Sequence, residues 1–271
     1  MEHHLNWFTV LLNKLVGPYA LAFLEAIGVH PHDPAHPIPN QVAMTFVVVV
    51  LLMLFALWLK PRLSVDRPGA VQQCVEMLFT NPLGVGIRDL LDSNVGHHGR
   101  QYMAMVGTIS IFILASNAIS LVPLFDSPTA HPTVPLACAL ITWVYYHWAG
   151  VRHVGAKHYS VHFTGPILPL APLMLLVEPV SHLARILSLT VRLYANMFSS
   201  ELLYFSILGL MLAPTQALLA KNVAFGLGVG VVAAVLPVAF LILHAFVAVM
   251  QAFVFTILPS IYLGLATAEE H

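Results

Sequence analysis

The sequence predicts an all-α polytopic membrane protein, and three observations carry that prediction. Hydrophobic residues make up 59% of the 271 positions and charged residues 8%, where a soluble surface needs about a quarter charged. Mean hydropathy is +0.84. Apolar runs of span length recur between short polar loops, and the last two runs are far longer than one upright crossing requires. The net charge of -1 gives no sign of a nucleic-acid partner. Cys74 and Cys138 stand far apart, without the spacing of a zinc or redox site.

From the N-terminus, residues 5–27 have helical periodicity with Trp7 and Tyr19. They are expected to form an interfacial helix, followed by a loop holding Pro31, Pro34, Pro37 and Pro39 with His30, His32 and His36. A His-rich tract is either a metal-binding element or a solvated loop. No basic, apolar and small-residue series marks a removable presequence, so the chain is expected to insert as it stands. Val42 to Leu59 is a spanning helix closed by Lys60-Pro61-Arg62. Ala70 to Leu91 mixes apolar Cys74, Leu78, Val85 and Leu90 with Gln72, Glu76, Arg88 and Asp89, and Pro82 and Gly84 interrupt it. It is expected on the membrane surface.

Tyr102 to Val122 and Pro135 to Val151 are two further spans. In the first, Ser116, Asn117 and Ser120 either line an aqueous path or bond a neighbouring helix. Trp143, Tyr145, Tyr146 and Trp148 in the second suggest an interfacial aromatic belt. Lys60, Arg62, Arg67, Arg88, Arg100, Arg152 and Lys157 mark the loops expected in the cytoplasm, while the loop after the second span carries Asp126 and no Lys or Arg. That places the N-terminus outside.

Ile167 to Phe205 and Ala217 to Thr267 are apolar segments of about 40 and 50 residues separated around Pro214. A 40-residue helix is about 60 Å long, twice the hydrocarbon thickness. Each segment is therefore broken, or the two form a strongly tilted hairpin.

The first of these segments carries a polar seam: Glu178, His182, Arg185, Ser188, Arg192, Asn196 and Ser199 follow one another at steps of three or four. Ionisable groups in hydrocarbon are costly, so they face protein or water. Glu178, His182 and Arg185 fit a helix-stapling ion network as well as a functional cluster. Arg192 has no carboxylate one turn away on its own helix, and Glu201 falls about 180° around the helix. Its counter-charge is therefore expected from elsewhere, and arginine, always protonated, serves as a fixed field rather than a proton carrier. In the second long segment His244 and Gln251 share a face, and an antiparallel arrangement would let Glu201 and His244 approach. A carboxylate and an imidazole in a wet cleft pass protons at neutral pH, or form a buried pair. Gly226, Gly228 and Gly230 suggest a helix-packing surface. His153, His158 and His162 sit in a basic loop, and no metal or nucleophile motif is present.

Ser188-Leu-Thr-Val-Arg192-Leu-Tyr-Ala-Asn196, with Glu201 nine residues after the arginine, Glu178 fourteen before it, and His244 and Gln251-Ala-Phe-Val-Phe-Thr near the end, resembles subunit a of the F-type ATP synthase family over nearly the whole chain. The resemblance implies the tilted, near-horizontal hairpin rather than broken helices. Residues 1–41 would form an N-terminal helix and loop, 42–165 upright spans with a surface segment, and 166–271 the hairpin facing a ring of c subunits. It implies that Arg192 faces the ring carboxylate, with Gln251 beside it and Asn196 at the interface. Glu201 and His244 would line the outer half-channel, and Glu178, Ser181 and His182 the cytoplasmic one. Asn117, Ser120, Arg185, Ser188 and Ser199 are candidate lining residues. Tyr194-Ala195 replaces the family's Phe-Gly, and Ser120 stands where many bacterial members have aspartate.

A non-catalytic, proton-translocating subunit of a bacterial inner-membrane rotary motor is thus expected. It would have a c-ring, a b-subunit stalk and lipid as partners and no cofactor or metal, and Na⁺ stays open as the coupling ion. The alternative is a self-contained secondary transporter using Arg192 to bind an anionic substrate; the lack of an internal repeat speaks against it.

Overall fold

Helices account for the regular structure in the computed structural model, which describes residues 7–28, 30, 35–122, 125–155, 159, 171–221 and 223–267. Pro31, His32, Pro34, Lys157, His158 and His162 lie outside the described residues. Eight helices are described: α1 (Trp7–Ala26), α2 (Asn40–Leu59), α3 (Ala70–Phe79), α4 (Ile87–Val95), α5 (Met103–Ala118), α6 (Thr133–Val154), α7 (Ala171–Lys221) and α8 (Val223–Thr267). Among the described residues six stretches are long and apolar enough to cross a membrane, those of α1, α2, α5, α6, α7 and α8.

Two of the expectations change in this structure. α1 meets the length and hydropathy of a crossing, and its sides are reversed relative to a soluble helix. Thr9, Asn13 and Gly17 are buried, while Leu15, Tyr19 and Phe23 are exposed, the arrangement of a helix whose small and polar stripe packs and whose apolar side meets lipid. The second change concerns Pro214, which does not separate the two long segments. α7 runs through it to Lys221. Proline removes one donor and crowds the preceding turn, but an apolar helix tolerates it where neighbouring groups take up the freed carbonyls. Next to it, Thr215 Oγ1 donates to Met211 O at 2.7 Å.

The chain divides into two compact units. The first holds Met1–Met53, Ala115–His131 and Ala195–Val249. Here Asn13 ties α1 to the approach to α2: Nδ2 donates to Ile38 O at 2.9 Å and Oδ1 accepts from Ile38 N at 3.0 Å. The long helices run antiparallel in this unit. A Cβ at Gly230 would lie 3.1 Å from the Thr215 methyl, and fourteen residues further along α8, His244 meets Ser200, fifteen residues back along α7.

The second unit holds Leu54–Leu114, Pro132–Tyr194 and Met250–His271. The expected surface segment is two short helices, α3 and α4, joined by a turn in which Gly84 takes a φ of +68°. Asn81 holds that turn by accepting from Leu83 N and Val85 N. α4 packs on the last turns of α8, where Asn94 Nδ2 donates to Ser260 Oγ at 3.0 Å and Gly264 gives the Asn94 backbone its space. Ile87, Leu91, Tyr102, Val106, Tyr146, Ala149 and Leu263 form the core.

Candidate functional site

In the first unit the polar residues gather around His244, which is 4% exposed. Ser120 Oγ lies 2.8 Å from Nε2 and Ser200 Oγ 2.7 Å from Nδ1. Each hydroxyl also has a carbonyl within reach, Asn117 O at 2.8 Å for Ser120 and Met197 O at 3.1 Å for Ser200. A hydroxyl carries one proton and two lone pairs. When both hydroxyls donate to their carbonyls, both oxygens accept from a doubly protonated His244. When one turns toward the ring, the same cage holds the neutral imidazole. The arrangement therefore holds His244 in either protonation state without rebuilding the helices.

Glu201 is half-buried, and its Oε1 accepts from Ser127 N at 2.9 Å. Ser127 Oγ donates to Ser116 O at 2.9 Å and meets Thr129 Oγ1 at 2.6 Å, and Thr129 Oγ1 in turn donates to the buried Asn117. Asp126, next in the chain, is within electrostatic reach of Glu201. No direct hydrogen bond or ion pair joins Glu201 to His244. The two meet the same polar cluster instead, through the adjacent Ser200 and through the segment 117–129. Asn117 and Ser120 thus belong to the cluster, whereas Ser199 and Asn196 are exposed. Nothing in the sequence singles out Ser127 or Thr129, and Ser200 is signalled only by its place beside Glu201.

The second unit places Glu178, His182 and Arg185 against α6 and α8. Tyr146 OH lies 2.8 Å from His182 Nδ1, and His182 Nε2 is 3.8 Å from Glu178 Oε2. The His147 and His182 rings are 4.6 Å apart at their centroids. His147 Nδ1 meets Tyr159 OH at 2.6 Å. The Arg185 guanidinium stands 5.0 Å over the Tyr262 ring, a cation–π contact. Beyond the α6 span, burial pushes the Tyr159 hydroxyl up to about 12, against the opposing pull of Arg185. Two hydrogen-bonded imidazole–phenol pairs, Tyr146 with His182 and His147 with Tyr159, thus lie in ring contact with each other and beside a carboxylate, all groups able to give or take protons. In the sequence Tyr146 stands out only as part of an aromatic belt, and nothing singles out His147 or Tyr159. Ser181 is half-buried near this cluster on α7.

Arg192, in the same unit, is different. It is exposed, its one hydrogen bond among the described residues runs from Nη2 to Ser188 Oγ at 3.3 Å, and no carboxylate of those residues pairs with it. Leu187 and Val191 beside it are 61% and 55% exposed. The seven-residue seam is therefore split by packing. Glu178, His182 and Arg185 turn toward neighbouring helices, and Ser188, Arg192, Asn196 and Ser199 face outward. Gln251 is 5% exposed, and its Oε1 has no partner among the described residues. No group of three or more His, Cys, Asp and Glu suited to a metal occurs among them.

The family model described as ATP synthase A chain matches residues 42–264, a range that takes in both clusters and Arg192. The chain belongs to that family. It is 38% identical over 272 residues to "ATP synthase subunit a" of Koribacter versatilis, covering 100% of both chains. It is 38% identical over 250 residues to the Solibacter usitatus protein of the same description, covering 92% of this chain and 95% of the relative. With the Geotalea uraniireducens protein, again of that description, it shares 34% over 232 residues, or 86% and 89% of the two chains. The chain is thus an all-α, multi-pass membrane protein and not the catalytic part of the synthase.

Proposed function

We propose that this chain is the stationary proton-translocating subunit beside a rotating ring of c subunits, with two offset half-channels separated by Arg192. The observation that carries the reading is the exposed arginine on an outward face of α7 whose other exposed residues, Leu187, Ser188, Val191, Asn196 and Ser199, are uncharged, with no carboxylate pairing among the described residues. A charge held toward hydrocarbon is costly unless a partner supplies the opposite one. A ring carboxylate supplies it. Asn196 and Ser188 flank Arg192 on that interface, and Gln251 stands behind it.

The Glu201, His244, Ser120, Ser200 and Asn117 cluster forms the half-channel open to the outside, and a proton passing it neutralises a ring carboxylate. A neutral acid moves into lipid far more readily than an anion. After nearly a turn the acid meets the Glu178, Ser181, His182 and Arg185 cluster, where the fixed charge of Arg192 lowers the carboxylate pKa by about one to three. The proton then leaves toward the cytoplasm, the side of the basic loops. Because the guanidinium stays charged, it also bars direct leakage between the half-channels. A b-subunit stalk holds the subunit against rotation.

The test is a cysteine at Asn196. Oxidation of membranes in which the c subunit also carries a single cysteine at its carboxylate level should cross-link the two chains. An Asn196 cysteine that links to no small hairpin protein, together with purification of this chain free of any ring, contradicts the reading.

A further inference from the structure

The second unit contains a feature that proton transfer does not use. A cavity of about 320 Å³ opens between the start of α5 and the end of α6, lined by Gln101, Tyr102, Tyr145, Trp148, Arg152 and His153. The small, buried Ala149 leaves its space. Every polar side chain lining it carries a hydrogen-bond donor, and no carboxylate lines it. Arg152 stands 5.2 Å over the Trp148 ring, and no carboxylate among the described residues pairs with it. The edge of the His98 ring approaches His153, their centroids 5.0 Å apart. A donor-rich, acid-free cavity beside an arginine selects an anion.

Its surroundings say which kind. Below Trp148 on the same side of α6, Val144 and Ile141 are 57% and 56% exposed, continuing at helical spacing away from the cavity. A free ion has no use for that apolar row, whereas an acyl chain does. We propose that the cavity binds the phosphodiester headgroup of an anionic glycerophospholipid, with a chain lying along Val144 and Ile141. Basic pockets between spans at the membrane boundary hold such headgroups. Arg152 supplies the fixed charge, His153 and the Tyr102 and Tyr145 hydroxyls supply further donors, and Trp148 marks the interface level.

The experiment uses the complex in its membrane and two photoactivatable lipids, phosphatidylglycerol and phosphatidylcholine, each with the reactive group near the headgroup. Phosphatidylglycerol should label the peptide spanning residues 141–153, and phosphatidylcholine should not. Arg152→Gln combined with His153→Gln should lower the label about tenfold, the loss of one charge-assisted hydrogen bond, while the variant's melting midpoint in lipid-free detergent stays that of the native chain. Equal labelling by both lipids, no label in that peptide, or undiminished label in the variant overturns the proposal. Loss of label to millimolar inorganic phosphate overturns it in favour of a free-phosphate site. If the double variant does not fold, the comparison of the two lipids on the native chain decides alone.

Discussion

Ser120 Oγ sits 2.8 Å from His244 Nε2, joining residues 124 positions apart in the chain, while Ser200 Oγ closes the other side of the ring at 2.7 Å. This cage gives Ser120 a definite structural part, as a hydroxyl set against the imidazole. Under the proposed function, a hydroxyl there hands a proton on without carrying charge itself, and the acid on this side is Glu201.

Removing either hydroxyl leaves one imidazole nitrogen without its partner in a buried place, at a cost of about 1–3 kcal/mol. Ser120→Ala and Ser200→Ala should each slow ATP-driven proton pumping in inverted vesicles about tenfold or more. Ser199→Ala, on the exposed face, should leave it near the native rate.

Glu201→Gln keeps an oxygen that accepts from Ser127 N but cannot take up and release a proton. The variant should assemble in normal amount and lose most coupled ATP synthesis, whereas Glu201→Asp should retain a substantial part. Equal activity of the Gln variant and the native protein, measured by synthesis in energised vesicles, would show that Glu201 only braces the segment at Ser127.

Gly264 stands where any Cβ would run into the Asn94 backbone. Gly264→Ala should push α4 off the end of α8 and cost about 1–3 kcal/mol, the range for overpacking. A lowered melting midpoint of the detergent-purified protein is the readout. Ala266→Gly, also on the last turns of α8, serves as a mild comparison.

Burial raises the Tyr159 hydroxyl to about 12 from the ordinary 10.0, so the folded chain holds this proton after the unfolded chain has lost it. Between those values the unfolded state binds fewer protons, and linkage makes stability fall as pH rises. The contribution is whole below about pH 10 and is lost on approach to about pH 12. Tyr159→Phe should flatten the alkaline limb of a stability-against-pH curve while lowering stability at neutral pH by about 1 kcal/mol, the value of the bond to His147.

Hydropathy alone made the helices legible, because a spanning segment must satisfy its backbone internally and announces itself as an unbroken apolar run. The excess length of the last two segments left broken helices or a tilted hairpin, between which only the family resemblance chose, and the missing counter-ion singled out Arg192. Other features stayed hidden for physical reasons. Pro214 reads as a breaker in a soluble context, but it lies inside α7. The small, polar stripe of Thr9, Asn13 and Gly17 is weak beside the apolar residues around it. Ser127, Thr129, Ser200, Tyr146 and Tyr159 are common residues whose roles arise only when segments distant in sequence are brought together. Spacing along one helix could not separate the packed Glu178, His182 and Arg185 from the outward Ser188 and Arg192.

The most direct measurement is ATP synthesis and ATP-driven proton pumping by the Arg192→Ala variant, in membranes where the amount of this chain inserted and of copurifying ring is shown to equal the native level. Both activities should be abolished, and Arg192→Lys should also fail because an ammonium does not reproduce the broad, permanently charged guanidinium. Native rates of coupled synthesis in the Arg192→Ala variant would contradict the central role given to this residue.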